Sequence, residues 1–301
     1  MTVPVNIIKP QGKKSNKKST YSKKKARKDT IFGMTEVKQA GMASLRAKKA
    51  FLCDMDGVIY HGSSLIPGVG RFVEWLESEK KKYLFLTNGS GKSPRELSEK
   101  LARMGLAVSE DHFYTSALAT ASFLSGQCPG GTCYVIGEPG LVNAMYEAGF
   151  SMNSHDPDYV VFGKTSALNY NEIETAVKLI GRGAKLIGTN SDVTDPAEDG
   201  IVPACRALIA PIELASGRKA YFIGKPNPLM MRQALKKIGA RRSETAIIGD
   251  RMDTDIIAGI ESEMDTVLVL SGVSTASTVR DYPYRPKYIL RDVGEIAGTA
   301  G

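Results

Sequence analysis

The sequence predicts an α/β protein built on parallel sheets, and three observations carry that prediction. From Ala50 onward, apolar runs of three to five residues alternate with longer amphipathic stretches, the pattern of strands joined by right-handed helical crossovers. Four of those runs are followed by small polar or charged groups, at Asp54, Thr87, Lys225 and Asp250, and ligand sites of open α/β sheets form at the carboxyl ends of strands. The length of 301 residues, with 42% apolar side chains, suits two domains or one large domain carrying an insertion.

The elements follow in chain order. Ala50–Cys53 is a strand ending at Asp54. Val69–Lys80 reads as a helix with Phe72, Val73 and Leu76 on one face, and Trp75 within it reads as a core residue. Tyr83–Leu86 is the next strand. Ser93–Met104 is a helix whose ends are written in the sequence: Ser93 caps it, Pro94 suits its first turn, Glu96 completes a capping box and Gly105 stops it. Later strands are Thr132–Ile136, Tyr159–Phe162, Lys185–Gly188, Tyr221–Ile223, Thr245–Ile248 and Thr266–Val269, with helices between most of them. No internal repeat is visible.

The net charge of +8 belongs to one end of the chain. Residues 1–49 hold 14 Lys and Arg against two acids, whereas the rest holds 26 against 30. Gly12–Lys28 has almost no large apolar side chain and cannot offset the entropy of ordering, so residues 1–49 are expected to be a disordered basic tail. Such a tail is either a solvated extension or an arm for nucleic acid or another polyanion. It lacks the apolar stretch of a secretory signal, and no apolar run approaches the roughly 18 residues of a membrane span. Cys128 and Cys133 have neither a second close cysteine pair nor a His cluster beside them. The four cysteines therefore read as free, mostly buried thiols of a reducing compartment rather than as zinc ligands. Cytoplasm is the default, and the lysine-rich tail admits the nucleus.

Four segments carry the chemistry. Phe51–Val58 delivers two carboxylates, Asp54 and Asp56, at a strand end; alternation along an extended chain puts both on one side, and Gly57 lets the chain turn sharply afterwards. Leu84–Ser90 ends in Thr87 and Asn88, whose hydroxyl, amide and neighbouring backbone N–H groups suit an anion. Lys225, after Tyr221–Ile223, supplies a point charge for phosphate oxygens. Asp250, after Ala246–Ile248, is the natural ligand for a hard cation such as Mg2+. Asp253 and Asp255 either hydrogen-bond around the site or cap the following helix. His61, close behind the first segment, reads as a solvent-facing loop residue.

In this order the segments resemble the haloacid dehalogenase-like hydrolases, with Asp54-Met55-Asp56-Gly57-Val58 as the opening signature. Tyr114-Thr115-Ser116-Ala117, Gly188-Thr189-Asn190-Ser191-Asp192, Gly224-Lys225-Pro226-Asn227-Pro228 and Gly249–Asp255 resemble the NagD-like branch, which holds nucleotide, p-nitrophenyl phosphate and phosphoglycolate phosphatases. The resemblance runs from about residue 50 to the C-terminus. Ser191 departs from it, standing where the family usually has proline, and the tail has no counterpart.

The resemblance implies a Rossmann-like parallel-sheet core, residues 50–130 and 218–301, with an α/β cap inserted at 131–217. It implies that Asp54 is the nucleophile and Asp56 the acid and base. Mg2+ is expected on the side chains of Asp54 and Asp250 and on the backbone carbonyl of Asp56, with Asp253 and Asp255 behind them. Thr87, Asn88 and Lys225 are expected to hold phosphate, and Asn190 and Asp192 of the cap to read the leaving group, unless Asn190 only shapes its loop. The expected substrate is a small phosphorylated metabolite, first a nucleoside monophosphate and second phosphoglycolate or another small organic phosphate. Caps of this type also raise the expectation of a homo-oligomer. A competing reading is a non-catalytic polyanion-binding protein on a hydrolase scaffold.

Overall fold

Ala50–Asp54 forms the strand β1 because its side chains are wanted on both faces: Ala50, Phe51, Leu52 and Cys53 are all fully buried, as expected for an inner strand of a parallel sheet. The structure, a computed structural model, describes residues 41–197 and 200–298. Tyr60–His61 (β2) and Ser64–Leu65 (β3) make a small antiparallel hairpin after β1. Lys82–Thr87 (β4) and Phe113–Thr115 (β5) follow. Thr132–Ile136 (β6), Ser151–Met152 (β7), Tyr159–Phe162 (β8) and Lys185–Gly188 (β9) lead to the hairpin Thr194–Ala197 (β10) and Gly200–Pro203 (β11). Tyr221–Phe222 (β12), Thr245–Gly249 (β13), Asp265–Val269 (β14) and Tyr288–Leu290 (β15) complete the series.

Two parallel sheets result. The first has the order β15-β14-β13-β1-β4-β5, the second β12-β9-β8-β6-β7. In the first, Cys53 stands beside Ile248 and Asp54 beside Leu86, so the carboxyl ends of β1, β4 and β13 lie together. The helix Val69–Ser78 covers one face through Phe72 and Trp75. Phe51 meets the two rings edge-on, with centroids 6.3 and 5.5 Å away, geometries that aromatic quadrupoles favour. Trp75, predicted as core, is half-buried. The helix stops two residues short of the predicted Lys80 because Lys80 takes φ of 51°, which no helix continues. The capping box of the next helix, Pro94–Arg103, is present in both directions: Glu96 N–H donates to the Ser93 hydroxyl at 3.3 Å, and Ser93 N–H donates to the Glu96 carboxylate at 2.7 Å.

The chain divides into the units Met1–Arg46 and Ala47–Gly301. In the first, residues 41–46 are helical, so regular structure starts earlier than the tail boundary at residue 49 predicted; Gly12–Lys28, on which the expectation of disorder rested, lies outside the described residues. In the second unit, Lys48 and Lys49 pair with Asp265 and Glu244 at 2.9 and 2.6 Å. The last charges counted with the tail therefore belong to the folded unit. The second sheet runs from β6 to β12, past the cap boundary expected at 217, because β12 pairs with β9 through Tyr221 and Phe222. The β10–β11 hairpin was not predicted; Pro196 and Pro203 stand in its two strands, and proline fits a strand only on an edge. Cys53, Cys128, Cys133 and Cys205 are free thiols.

No helix among the described residues is long and apolar enough to cross a membrane.

Candidate active site

Lys225 organises the site. It is 3% exposed, and its ammonium donates to Asp54 Oδ1 at 2.5 Å and to Asp255 Oδ1 at 2.7 Å. Burial opposes its charge, but the Asp255 and Asp54 carboxylates outweigh burial and hold its pKa above the ordinary lysine value. Asp54 ends β1, Lys225 follows β12, and Asp255 lies in a π-helical turn, Met252–Ile256, after β13. In that turn the second oxygen of Asp255 accepts from Arg251 N–H at 3.1 Å.

Asp250 completes a group of three carboxylates. One oxygen from each of Asp54, Asp250 and Asp255 lies within 4.8 Å of the others. Asp250 Oδ2 accepts from Val273 N–H at 2.7 Å, whereas buried Oδ1 has no hydrogen-bond partner. Burial, then the neighbouring Asp255, pushes the Asp250 carboxyl up to about 6. Burial also raises Asp54 well above the usual carboxylate range; Lys225 pulls it back, and Asp255 and Asp250 add to the rise. Three carboxylates, Asp250 and Asp255 buried and Asp54 nearly so, against one ammonium leave negative charge uncompensated. An orphaned carboxylate oxygen in such a place is the feature a hard divalent cation fits.

The backbone makes room for these carboxylates. Gly57 takes φ of 79°, and a Cβ there would collide with the Asp250 carboxylate. A Cβ on Gly272 would strike the same side chain. Ser271 ties that loop down, its hydroxyl donating to Gly57 O at 2.7 Å. His61, exposed, has Nε2 against the Ser271 carbonyl, so the loop histidine fastens two segments.

Asp56 lies apart from the three carboxylates. Its side chain opens to solvent, and Tyr60 OH donates to its Oδ2 at 3.2 Å. Reduced hydration raises its pKa, while Lys100 and the Tyr60 hydrogen bond pull it down. Thr87 is buried, its hydroxyl oxygen accepting from Gly89 N–H at 3.0 Å.

The two asparagines expected to touch substrate hydrogen-bond within the site. Asn88 Oδ1 accepts from Lys225 N–H at 2.8 Å, and Nδ2 donates to Lys225 O at 3.0 Å and to Asp192 Oδ2 at 2.8 Å. Asn190 is buried; its Nδ2 donates to Asn88 O at 2.6 Å and its Oδ1 accepts from Asp192 N–H at 3.1 Å. Both amides brace the meeting of the two sheets. Asp192, partnered with Asn88, has its pKa raised by burial. Asp253 is drawn off by Arg251, whose fork donates to it at 3.0 and 2.8 Å. Burial would raise Asp253, but that fork holds it below the usual carboxylate range.

The structure thus gathers Asp54, Lys225, Asp250 and Asp255, sets Asp56 and Thr87 at the same strand ends, and uses Asn88 and Asn190 as braces. Sequence reasoning missed Tyr60, Lys100 and the Val273 amide. Tyr60 had a readable signal, since a tight turn after Gly57 returns the chain beside Asp56, where Asp56 and Tyr60 form an isolated bridge. Val273 gave none, because a backbone donor can come from any residue.

An aspartate ending an inner strand, a second aspartate in the turn just after it, a buried lysine and a second acidic strand end beside them define a hydrolase with a charged strand-end centre. A haloacid dehalogenase-like hydrolase model matches residues 51–151, and a HAD-hydrolase-like model matches residues 222–296. Dihydroxyacetone phosphatase of Corynebacterium glutamicum (strain R) is 44% identical over 248 residues, covering 82% of this chain and 90% of the relative. Ribonucleotide monophosphatase NagD of Escherichia coli K12 is 40% identical over 248 residues, covering 82% and 98%. The solved structure of NagD from E. coli K-12 superposes with a TM-score of 0.79 at 38% identity, covering 83% of this chain and 98% of that one. The chain belongs to the haloacid dehalogenase-like hydrolase family and, within it, to the NagD-like branch of phosphoric monoester hydrolases.

Proposed function

We propose that this chain is a magnesium-dependent phosphatase that cleaves small phosphate monoesters through an aspartyl phosphate on Asp54. The observation that carries the reading is the position of Lys225, clamped between Asp54 and Asp255 beside an Asp250 oxygen that lacks a partner. Asp54 and Asp250 would hold Mg2+ through their side chains, with the Asp56 backbone carbonyl as the further protein ligand. When bound, the ion neutralises negative charge on the phosphoryl oxygens and on the carboxylates.

The chain's own residues divide the remaining work. The Asp54 carboxylate attacks phosphorus, forming an Asp54–O–P bond as the bond to the leaving oxygen breaks. Asp56, whose raised pKa keeps a protonated form accessible, gives its proton to that oxygen. In the second half-reaction Asp56 takes a proton from water, the resulting hydroxide attacks phosphorus, and the bond to Asp54 breaks to release phosphate. Thr87 and Lys225 hold the phosphoryl oxygens, in a transition state whose charge is spread over them. Asn88 acts one step back, fixing the peptide of Lys225. Asn190 braces Asn88, and Asp255 anchors the Lys225 ammonium.

Nucleoside monophosphates are the substrate class suggested by the likeness to NagD. A second reading, a smaller organic phosphate such as phosphoglycolate or a triose phosphate, is favoured by the polar and charged groups around Asp56, which include the Tyr60 hydroxyl, Lys100 and, from β10, Asp195. Phosphate release by wild type and Asp54→Asn from a panel of nucleotides, phosphoglycolate, glycerol phosphate, sugar phosphates and p-nitrophenyl phosphate, with Mg2+ and with chelator, tests both. Release that depends on Mg2+ and Asp54 supports the phosphatase, and the preferred ester decides between the two classes. Undiminished release by Asp54→Asn ends the nucleophile assignment.

A further inference from the structure

Lys100 stands on the helix Pro94–Arg103, half-buried, with Nζ 3.5 Å from the centroid of the Tyr60 ring. That ring carries the hydroxyl that donates to Asp56. Among the described residues, Lys100 has no carboxylate within ion-pair distance, and Asp56 is the acid whose field reaches it. A lysine that surrenders hydration normally regains it from a carboxylate or from carbonyl oxygens. A ring face returns part of that loss and leaves N–H donors unused. Burial accordingly lowers the Lys100 pKa below the ordinary lysine value.

Asp56 is also where the β10–β11 hairpin presents charge. Asp195, on β10, lies within electrostatic reach of Asp56 and is held by Lys164 at 2.6 Å. The groups around Asp56 therefore include Tyr60, Lys100, Lys225 and Asp195, the last paired with Lys164. Under the phosphatase reading, Asp56 protonates the leaving oxygen, so the leaving alcohol must occupy this space. Oxygens on that alcohol find donors there, whereas a bare alkyl chain leaves them unpaired.

We infer that Lys100 is a specificity-determining residue that binds an oxygen substituent of the leaving alcohol, so that the site selects phosphate esters of small hydroxylated or carbonyl-bearing alcohols over alkyl esters of the same length. The inference rests on the phosphatase reading and names the chemistry of its substrate. The test compares glycerol 1-phosphate with n-propyl phosphate. The two esters share a chain length; the glycerol alkoxide is the weaker base because of its neighbouring hydroxyl, an inductive effect that substitution of Lys100 leaves in place, so the change in the ester ratio on substitution reports the contact. Wild type, Lys100→Met and Lys100→Arg are assayed, with thermal unfolding as the check on folding; Lys100→Gln replaces Lys100→Met under the same criterion should the latter not fold.

The wild-type ratio of kcat/KM, glycerol ester over propyl ester, is expected to exceed tenfold. Lys100→Met lowers that ratio at least tenfold, chiefly through KM for the glycerol ester, and Lys100→Arg restores most of it. A wild-type ratio near one, or a ratio that Lys100→Met leaves unchanged, overturns the inference, including the case in which both esters slow together. Phosphate release from p-nitrophenyl phosphate by wild type reports separately on the phosphatase reading, since p-nitrophenoxide is a weak base that leaves without protonation and carries no hydroxyl or carbonyl substituent. If that release is absent, the phosphatase reading falls; if it is present and the ester ratio does not move, only the role of Lys100 falls.

Discussion

Asn88 holds Lys225 by both polar groups of its backbone: the amide oxygen accepts the Lys225 N–H at 2.8 Å, and the amide nitrogen donates to the Lys225 carbonyl at 3.0 Å. The same nitrogen reaches Asp192 at 2.8 Å, so one side chain ties the lysine loop to the loop after β9. Asn88→Ala removes all three bonds and frees the buried lysine to shift by tenths of an ångström. Such a shift at a charged centre costs on the order of 10- to 100-fold in rate. The expected outcome is a fall in kcat of that size, with a smaller change in KM. Asn88→Asp should do worse than Asn88→Ala, because it sets a carboxylate against the Lys225 carbonyl and Asp192. Steady-state kinetics of both variants decide the matter; kinetics like wild type for Asn88→Ala would remove the clamp from the account.

Much of this arrangement was legible in the sequence, for reasons that particular residues make plain. Asp54 could be placed because β1 is buried on both faces and so reads as an unbroken apolar run that stops at the carboxylate. The helix after Ser93 could be placed because its cap and its stop are local chemistry. Asn88 and Asn190 could be picked out as strand-end polar residues, but their hydrogen bonds between residues 88 and 225 or 88 and 190 could not be read, because those bonds depend on how two sheets meet. The same holds for Lys100, which is a helix-face lysine in sequence and meets Tyr60 only through the fold. Proximity in space from distant segments is what a single sequence does not carry.

Asp54→Asn separates chemistry from stability. It removes the attacking carboxylate, so turnover should drop by at least about a thousandfold, the scale on which loss of a nucleophile is felt. It also removes a charge from a cluster in which three carboxylates face one ammonium. Burial holds the Asp54 carboxyl well above its ordinary range, so its ionised form works against folding at neutral pH, and the Asn amide removes that charge while Asp255 keeps the Lys225 ammonium paired. The melting temperature of the chelated protein should therefore hold or rise while activity is lost. A clear fall in melting temperature would mean that the Asp54–Lys225 pair contributes more than its neighbours' repulsion removes.

Gly57 shows how the sequence's GlyVal turn serves the site. At φ of 79° any side chain is strained, and a Cβ there would enter the space of the Asp250 carboxylate. Gly57→Ala should destabilise the protein by about 1–3 kcal/mol and weaken Mg2+ binding by displacing Asp250. Chemical denaturation and a Mg2+ titration followed by calorimetry measure the two effects. Loss of stability with unaltered Mg2+ affinity would show that Asp250 adjusts without cost to the cation site.

The orphaned oxygen of Asp250 leads to a prediction about pH and metal together. In the folded chain its carboxyl is pushed up to about 6, against the ordinary carboxylate value of 3.8. Between those values the folded state binds more protons than the unfolded state, so stability falls as pH rises through the window. The ionised form at neutral pH is thus a destabilising element of the metal-free protein, on the order of 3 kcal/mol by the conversion of pKa into free energy. A divalent cation reverses the sign, because it binds the carboxylate and not the acid. Chelated wild-type protein should accordingly lose melting temperature between about pH 4 and pH 6 relative to Asp250→Asn, whose amide does not titrate there. Millimolar Mg2+ at pH 7 should raise the melting temperature of wild type and leave Asp250→Asn nearly unmoved. Equal shifts in both proteins would place the cation elsewhere and leave the Asp250 oxygen without the role its burial suggests.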